Sequence, residues 1–229
     1  MEAGSGYEQE LDAALLMCDR ADAITLAAFE EGPEVSLKSD GTPVTDADTT
    51  VETMIRETLA ERFPGDAVIG EEFGQADPAP REWIIDPIDG TKNFVDGIPL
   101  WSTLLALRVD GRCVVGVISL PGIGQRYWGA EGVGAFGGGT AIRVSDVAIE
   151  TDAMVLYGDL DAILASPVAG TFLDVVQGSR RSRGFGDAWG YGLVAHDYFS
   201  HPPEGLVMGT IRCLERAQVG VSYPGGWGR

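Results

Sequence analysis

The sequence predicts an α/β (α+β) fold, and three observations carry that prediction. Two stretches near the N-terminus, residues 8–30 and 46–63, place apolar side chains at helical spacing. Two apolar, β-rich runs, residues 101–109 and 112–120, meet at Asp110-Gly111. Two shorter apolar runs, Ala67-Val68-Ile69 and Trp83-Ile84-Ile85, end in carboxylates. At 229 residues and 45% apolar composition, the chain can bury one sizeable core, as a large single domain or two tightly joined lobes, and no linker interrupts it.

In the first helix, Leu11, Leu15, Cys18 and Asp22 share a face with Leu26 and Phe29 near it, and Gly32-Pro33 is the stop. An extended piece at 35–38 and a polar loop at 39–42 lead to the second helix, Asp46 to Phe63. Val51, Met54, Ile55, Thr58 and Leu59 form its buried stripe, and Pro64-Gly65 ends it. Asp110-Gly111 suits a type I′ turn, so the runs on either side read as an antiparallel pair. Residues 125–130, 134–136 and 141–144 add short strands, and the glycines at 132, 134 and 137–139 read as turn punctuation, not a phosphate cradle. Residues 154–157 read as another strand and 161–176 as a weakly amphipathic helix broken by Pro167. Residues 180–189 then give a basic patch, a flexible turn and the start of a helix carrying Asp187.

A formal net charge of −19, with no basic stretch to neutralise a row of phosphates, argues against nucleic acid or an anionic membrane surface as partner. The first ten residues are polar and acidic, and no run approaches the roughly twenty apolar residues of a membrane span, so a soluble cytoplasmic protein is expected. Cys18, Cys113 and Cys213 lack metal-ligand spacing and read as reduced, mostly buried thiols. No Gly-rich loop closes on Lys-Ser or Lys-Thr, so no nucleotide loop is expected.

The chemistry concentrates in Trp83-Ile84-Ile85-Asp86-Pro87-Ile88-Asp89-Gly90-Thr91. Pro87 fixes φ, so Asp86 and Asp89 are expected to converge from a tight turn. Gly90 lets backbone approach an anion, and Thr91 starts a helix. Upstream, Gly70-Glu71-Glu72 leaves the end of a second strand. Hard oxygen donors in this number suit Mg²⁺ rather than zinc, although each acid alone could be a turn residue or a solvated charge. Asp48 has two readings as well: Thr45-x-x-Asp48 is an imperfect capping box, and the acid could also face the site.

Asp48, Glu71-Glu72 and Asp86 to Thr91 together resemble the inositol monophosphatase family of Mg²⁺-dependent phosphomonoesterases. The resemblance implies an α/β/α/β/α sandwich with a mixed sheet near the metal site, and a homodimer as a common assembly. It implies that Glu71, Asp86 and the Ile88 carbonyl hold one Mg²⁺, while Asp86 and Asp89 reach a second. Glu71 with Thr91 would orient the attacking water, Asp48 would face the metals, and the N–H groups of Gly90 and Thr91 would receive phosphate. Glu72 would orient its neighbour or the loop. The implied reaction is in-line attack of water on a small phosphate ester.

Residues 89–101 and 183–187 look most like the actinobacterial histidinol-phosphatase branch, with likeness from about Asp12 to Ala195. That branch usually carries Arg where this chain has Asp96. In this reading Asp187 accepts hydrogen bonds from the cationic end of histidinol phosphate, and Arg183 lies near substrate. The plain alternatives are an N-cap for Asp187 and a solvated charge for Arg183. Asp86 and Asp89 differ from the Asp-x-Asp of haloacid-dehalogenase phosphatases by their two-residue separation, and nothing places His196 or His201 in a Ser-His-Asp array.

Residues 1–195 therefore read as a metal-dependent phosphatase domain and 196–229 as an atypical tail. The family's Trp-Asp pair is absent from that tail, and none of Asp197, Glu204 and Glu215 replaces it. A truncated or frame-shifted end is the expectation. Three functions remain open: a histidinol-phosphate phosphatase, a phosphatase for inositol monophosphate or another small phosphate ester, and a metal-binding or structural remnant that turns nothing over.

Overall fold

The computed structural model describes residues 6–39, 41–75, 77, 79–144 and 149–196. Helix α1 (Glu8–Glu31) buries Leu11, Ala14, Met17, Cys18 and Ala21 at three- and four-residue intervals and stops at Gly32, whose φ of 84° an L side chain resists. Strands β1 (Val35–Leu37) and β2 (Pro43–Thr45) pair antiparallel, and β1 is exposed along its length. β2 runs directly into α2 (Asp46–Arg62), which buries Val51, Ile55, Thr58 and Leu59 as its spacing predicts.

Eight strands follow: β3 (Ala67–Gly70), β4 (Gly74–Gln75), β5 (Arg81–Asp89), then after the short helix α3 (Thr91–Val95) β6 (Ser102–Val109), β7 (Arg112–Leu120), β8 (Gln125–Ala130), β9 (Gly134–Gly137) and β10 (Thr140–Ala141). They form one sheet in the order β10-β9-β8-β7-β6-β5-β3-β4. β3 and β5 pair in parallel, and the remaining neighbours pair antiparallel, so the sheet is mixed as expected. Asp110 and Gly111 take φ of 48° and 77°, the two positive angles of the hairpin turn between β6 and β7. The chain continues through β11 (Met154–Leu156), α4 (Leu160–Leu164), α5 (Ala169–Gly178), β12 (Arg181–Arg183) and α6 (Asp187–Ala195), with β11 and β12 paired in parallel.

Strand alternation sends side chains to two faces. Trp83, Ile85, Leu105, Leu107 and Val115 pack under α1 and α2 in the main core. Ile84, Leu104, Ala106 and Ile118 line the opposite face, where Ala188 of α6 packs on them. A third cluster, Ala47, Ile88, Phe94 and Trp101 with Phe29, sits beneath the acid-rich segment and stiffens it. Phe29 and Phe94 pack against Trp101 at 4.3 and 5.0 Å between ring centroids. Burying each such ring stabilises by about 1.5–3 kcal/mol.

The stretch 161–176, read as a helix broken by Pro167, is two helices, α4 and α5, on either side of that proline. One expectation is corrected in detail. The strand read at 141–144 is the two-residue β10; past it the Ile142 N–H still donates to the Ala135 carbonyl at 2.9 Å, but residues 142–144 are not strand. Cys18 and Cys113 are buried as read. Asp40, Asp197, His201, Glu204, Cys213 and Glu215 lie outside the described residues, as does the tail beyond His196.

Candidate active site

Asp86 and Asp89 meet through a β-bulge, not the tight turn expected at Pro87. β5 stays extended through Asp89, and its register against β6 shifts: Asp86 opposes Leu104 and Asp89 opposes Ser102, three residues against two. In a regular strand, positions three apart point to opposite faces. The extra residue cancels that parity and puts both carboxylates on the face that α6 covers. Thr103 Oγ1 donates to the Pro87 carbonyl at 2.9 Å and holds the bulge.

Gly90 follows with φ 88° and caps α3, whose first residue Thr91 donates its hydroxyl to the Ile88 carbonyl at 2.9 Å. α3 has five residues, so its pull on an anion comes from the local N–H groups of Gly90 and Thr91 and hardly from a macrodipole. A side chain at Gly90 would meet Asp187 Oδ2 at 2.9 Å and the Leu100 carbonyl at 3.1 Å, so this glycine is fixed by close approach as well as by φ.

Asp187 reaches the same place from α6. Its backbone lies at φ 45°, Gly186 is the helix N-cap, and no side-chain cap bond is made. The N-cap alternative for Asp187 is therefore set aside. Asn93 donates to its Oδ2 at 3.2 Å and to the Leu100 carbonyl at 2.8 Å, while the neighbouring Ala188 N–H donates to Asp89 Oδ2 at 2.7 Å. Ser102 Oγ shares that oxygen at 3.1 Å. Arg183 lies exposed on β12 and donates to the Ser182 carbonyl at 2.7 Å, with no contact to these carboxylates among the described residues.

Glu71 continues the β3 ladder, its N–H donating to the Ile85 carbonyl at 3.2 Å. Lys38, on the turn after β1, places its ammonium 2.6 Å from Glu71 and 2.7 Å from Glu72. The Glu71 side chain is 44% exposed and that of Glu72 6%, so Glu71 faces the open cleft and Glu72 its wall. Asp48 takes the capping role that its spacing from Thr45 predicts. Oδ2 closes the capping box, accepting from Thr45 N at 2.8 Å and Thr45 Oγ1 at 2.6 Å, while the buried Oδ1 has no hydrogen-bond partner.

Carboxylates dominate the electrostatics of this cluster. Burial, then Asp89 and Glu71, push Asp86 well above the usual carboxylate range. Burial and the Asp187 charge raise Asp89 to about 7 against the help of Ala188 N–H and Ser102. Burial raises Asp48 to about 6, opposed by the Thr45 hydroxyl and N–H. Burial also raises Asp187 and Glu72, the latter opposed by Lys38. Burial works against the Lys38 ammonium, but the two glutamates outweigh it and its pKa rises.

Among the described residues, no three His, Cys, Asp or Glu side chains are drawn together as a ready-made metal cage. The donor chemistry nevertheless fits a hard divalent cation: all donors are oxygens, and Asp86 Oδ1 and Asp48 Oδ1 are buried without a partner. The acids repel one another, and the Lys38 ammonium offsets Glu71 and Glu72. An apolar groove of about 550 Å³ on β7 to β9, lined by Ile118, Tyr127, Trp128 and Ile142, contains none of these acids and is not assigned the chemistry.

Sequence reasoning missed four residues that shape the cleft. Lys38, Asn93 and Ser102 reach it across chain separations that no local pattern encodes. Glu52, fully buried in α2, did leave a signal, an acid set among the apolar positions Val51 and Ile55.

A family model described as "Inositol monophosphatase family" matches residues 7–172. A histidinol-phosphatase from Streptomyces coelicolor is 41% identical over 199 residues, 82% of this chain and 75% of that protein. A histidinol-phosphatase from Mycobacterium tuberculosis is 42% identical over 193 residues, 81% and 74% of the two chains. Among solved structures, an IMPase from Thermotoga maritima superposes with a TM-score of 0.72 at 30% identity, covering 81% of this chain and 72% of that one. On these matches, with the fold in agreement, the chain belongs to the inositol monophosphatase family.

Proposed function

We propose that this chain is a Mg²⁺-dependent phosphomonoesterase that hydrolyses histidinol phosphate. The observation that carries the reading is the bulge: it sets Asp86 and Asp89 on one face, directly beside Asp187 at the start of α6. Asp86, Asp89, Glu71 and the Ile88 carbonyl would hold the cation, which when bound supplies Lewis acidity to the phosphoryl oxygens and acidifies the attacking water. The Thr91 hydroxyl, oriented by Ile88, would help position that water, and the cleft-facing Glu71 carboxylate would take its proton. Gly90 and Thr91 turn backbone N–H groups toward the phosphate.

Substrate choice rests on Asp187. Its carboxylate stands at the rim, backed by the Asn93 amide, where it can pair with an ammonium or imidazolium carried beyond the phosphate. A neutral polyol would leave that charge unmatched. The names of the two bacterial relatives support the same substrate, and the buried Cys18 thiol suits a reducing compartment such as the cytoplasm.

Phosphate release from histidinol phosphate and from inositol 1-phosphate, each with and without Mg²⁺, tests this. Expected is Mg²⁺-dependent turnover with a preference for histidinol phosphate that Asp187→Asn removes. A preference for the polyol shifts the reading to an inositol phosphatase. No turnover by folded protein at saturating Mg²⁺ leaves a metal-binding remnant.

A further inference from the structure

The acids that would meet metal stand on a turn that is itself held by another carboxylate. Glu52 is fully buried in α2, one helical turn after Asp48. Its Oε2 accepts the Glu72 N–H at 2.8 Å, and its Oε1 accepts the Phe73 N–H at 3.2 Å and Arg56 Nε at 2.8 Å. Arg56 then donates from Nη2 to the Gly74 carbonyl at 2.9 Å, with its guanidinium 5.9 Å from the centroid of the Phe73 ring. The Glu52–Arg56 pair thus grips the 72–74 backbone by two donors and one acceptor. A side chain at Gly70 would overlap the Glu52 carboxylate, so the residue before the acid pair is shaped to admit it.

A buried carboxylate without partners is costly, and one that satisfies two successive backbone N–H groups of a turn fixes that turn. Few other described contacts hold this segment: β4 is two residues long and lies at the edge of the sheet. Across the turn, Glu71 is anchored by its N–H on Ile85, next to Asp86. α2 therefore carries Asp48 toward the cleft and, four residues on, the anchor for the strand-end that carries Glu71.

We propose that Glu52, with Arg56, is a positioning residue: it templates the Gly70–Gly74 turn and so sets the Glu71 carboxylate at its place opposite Asp86. Glu52 does not touch the reacting atoms and acts through Glu71 and Glu72. The inference deepens the metal-dependent reading above and rests on it.

The test uses the full chain and two variants, Glu52→Gln, which keeps size and one acceptor, and Arg56→Gln, which leaves the buried carboxylate but removes its partner. Mg²⁺ affinity is measured by calorimetry well below each melting temperature, and amide exchange is followed at Glu72 and Phe73, with Leu104 in β6 as reference. Expected for Glu52→Gln is Mg²⁺ binding weakened at least ~10-fold and Glu72 and Phe73 exchange accelerated by a similar factor, with Leu104 unchanged. Arg56→Gln should shift the same quantities ~3-fold, and it serves if Glu52→Gln does not fold. If the folded variants bind Mg²⁺ like wild type, or if Leu104 exchange rises as much as Glu72, Glu52 only stabilises the fold and the inference is overturned. Wild type that takes up no Mg²⁺ overturns the underlying reading instead.

Discussion

Replacing Asp89 by Asn separates the charge of this carboxylate from its hydrogen bonds. In the metal-free protein, burial and Asp187 raise Asp89 from 3.8 to about 7. The native group binds its proton more tightly than the unfolded one, so the stability it contributes as a neutral acid is lost as pH rises through the folded value. The penalty is slight near pH 4 and complete above about pH 7. At pH 8 its ceiling is about 4 kcal/mol, and Asp86 lowers that figure because the two carboxylates share one proton equilibrium. Asn keeps an oxygen for both Ser102 Oγ and Ala188 N–H, which converge on a single carboxylate oxygen. Asp89→Asn should therefore be more stable than wild type by about 1–3 kcal/mol in EDTA at pH 8. For a chain of this size that corresponds to a melting temperature higher by roughly 2–10 °C. The gain should shrink toward nothing near pH 4. Thermal melts of both proteins across this range, followed by hydrolysis assays in Mg²⁺, make the comparison, and turnover should fall by at least ~10²-fold. A metal-free melting temperature at pH 8 equal to or below that of wild type would show that the Asp89 charge is already compensated inside the protein, and would refute the account of the acid cluster.

Lys38→Met removes the ammonium from Glu71 and Glu72; for a partly exposed pair this should tighten Mg²⁺ binding by up to ~5-fold, and weaker binding by calorimetry would contradict the competition. Thr91→Val keeps the shape of the α3 start but loses the hydroxyl, so kcat should drop ~10²-fold with little change in melting temperature; unchanged kcat would remove Thr91 from the reaction. Trp101→Ala empties the third apolar cluster beneath the acid segment and should cost about 3–5 kcal/mol in urea unfolding; a loss below ~1 kcal/mol would mean that Phe29 and Phe94 close the gap.

The N-terminal half was legible because its signals are local. Gly32 ends α1, Thr45 and Asp48 open α2, and Asp110-Gly111 folds the hairpin through its own backbone angles. The chemistry of the Asp86–Thr91 segment was legible too, but its geometry was not. Pro87 is compatible with a turn or a bulged strand, and the choice is made by β6, where Thr103 takes the Pro87 carbonyl and Ser102 takes Asp89. Glu52 could be read as an acid among apolar positions, but its task could not, since its partners at 72 and 73 lie twenty and twenty-one residues away.

Asp187 shows what such long-range choices cost and what they achieve. Local rules would make an Asp after Gly at a helix start a cap, with its carboxylate turned back onto the first N–H groups. Here Gly186 takes the cap position and Asp187 sits at φ 45°, a conformation that costs a non-glycine residue about 1 kcal/mol or more. The strain is sustained by Asn93, by the open side of Gly90 and by the Ala188 N–H that locks α6 onto Asp89. A capping Asp187 would satisfy the helix and turn its carboxylate away from the rim. The strained one keeps a carboxylate at the rim next to Asp89, where its charge raises the Asp89 pKa and where a cationic substrate would relieve both. Strain and charge repulsion thus fall on the same residue, as expected of a group retained for binding and not for the stability of its helix.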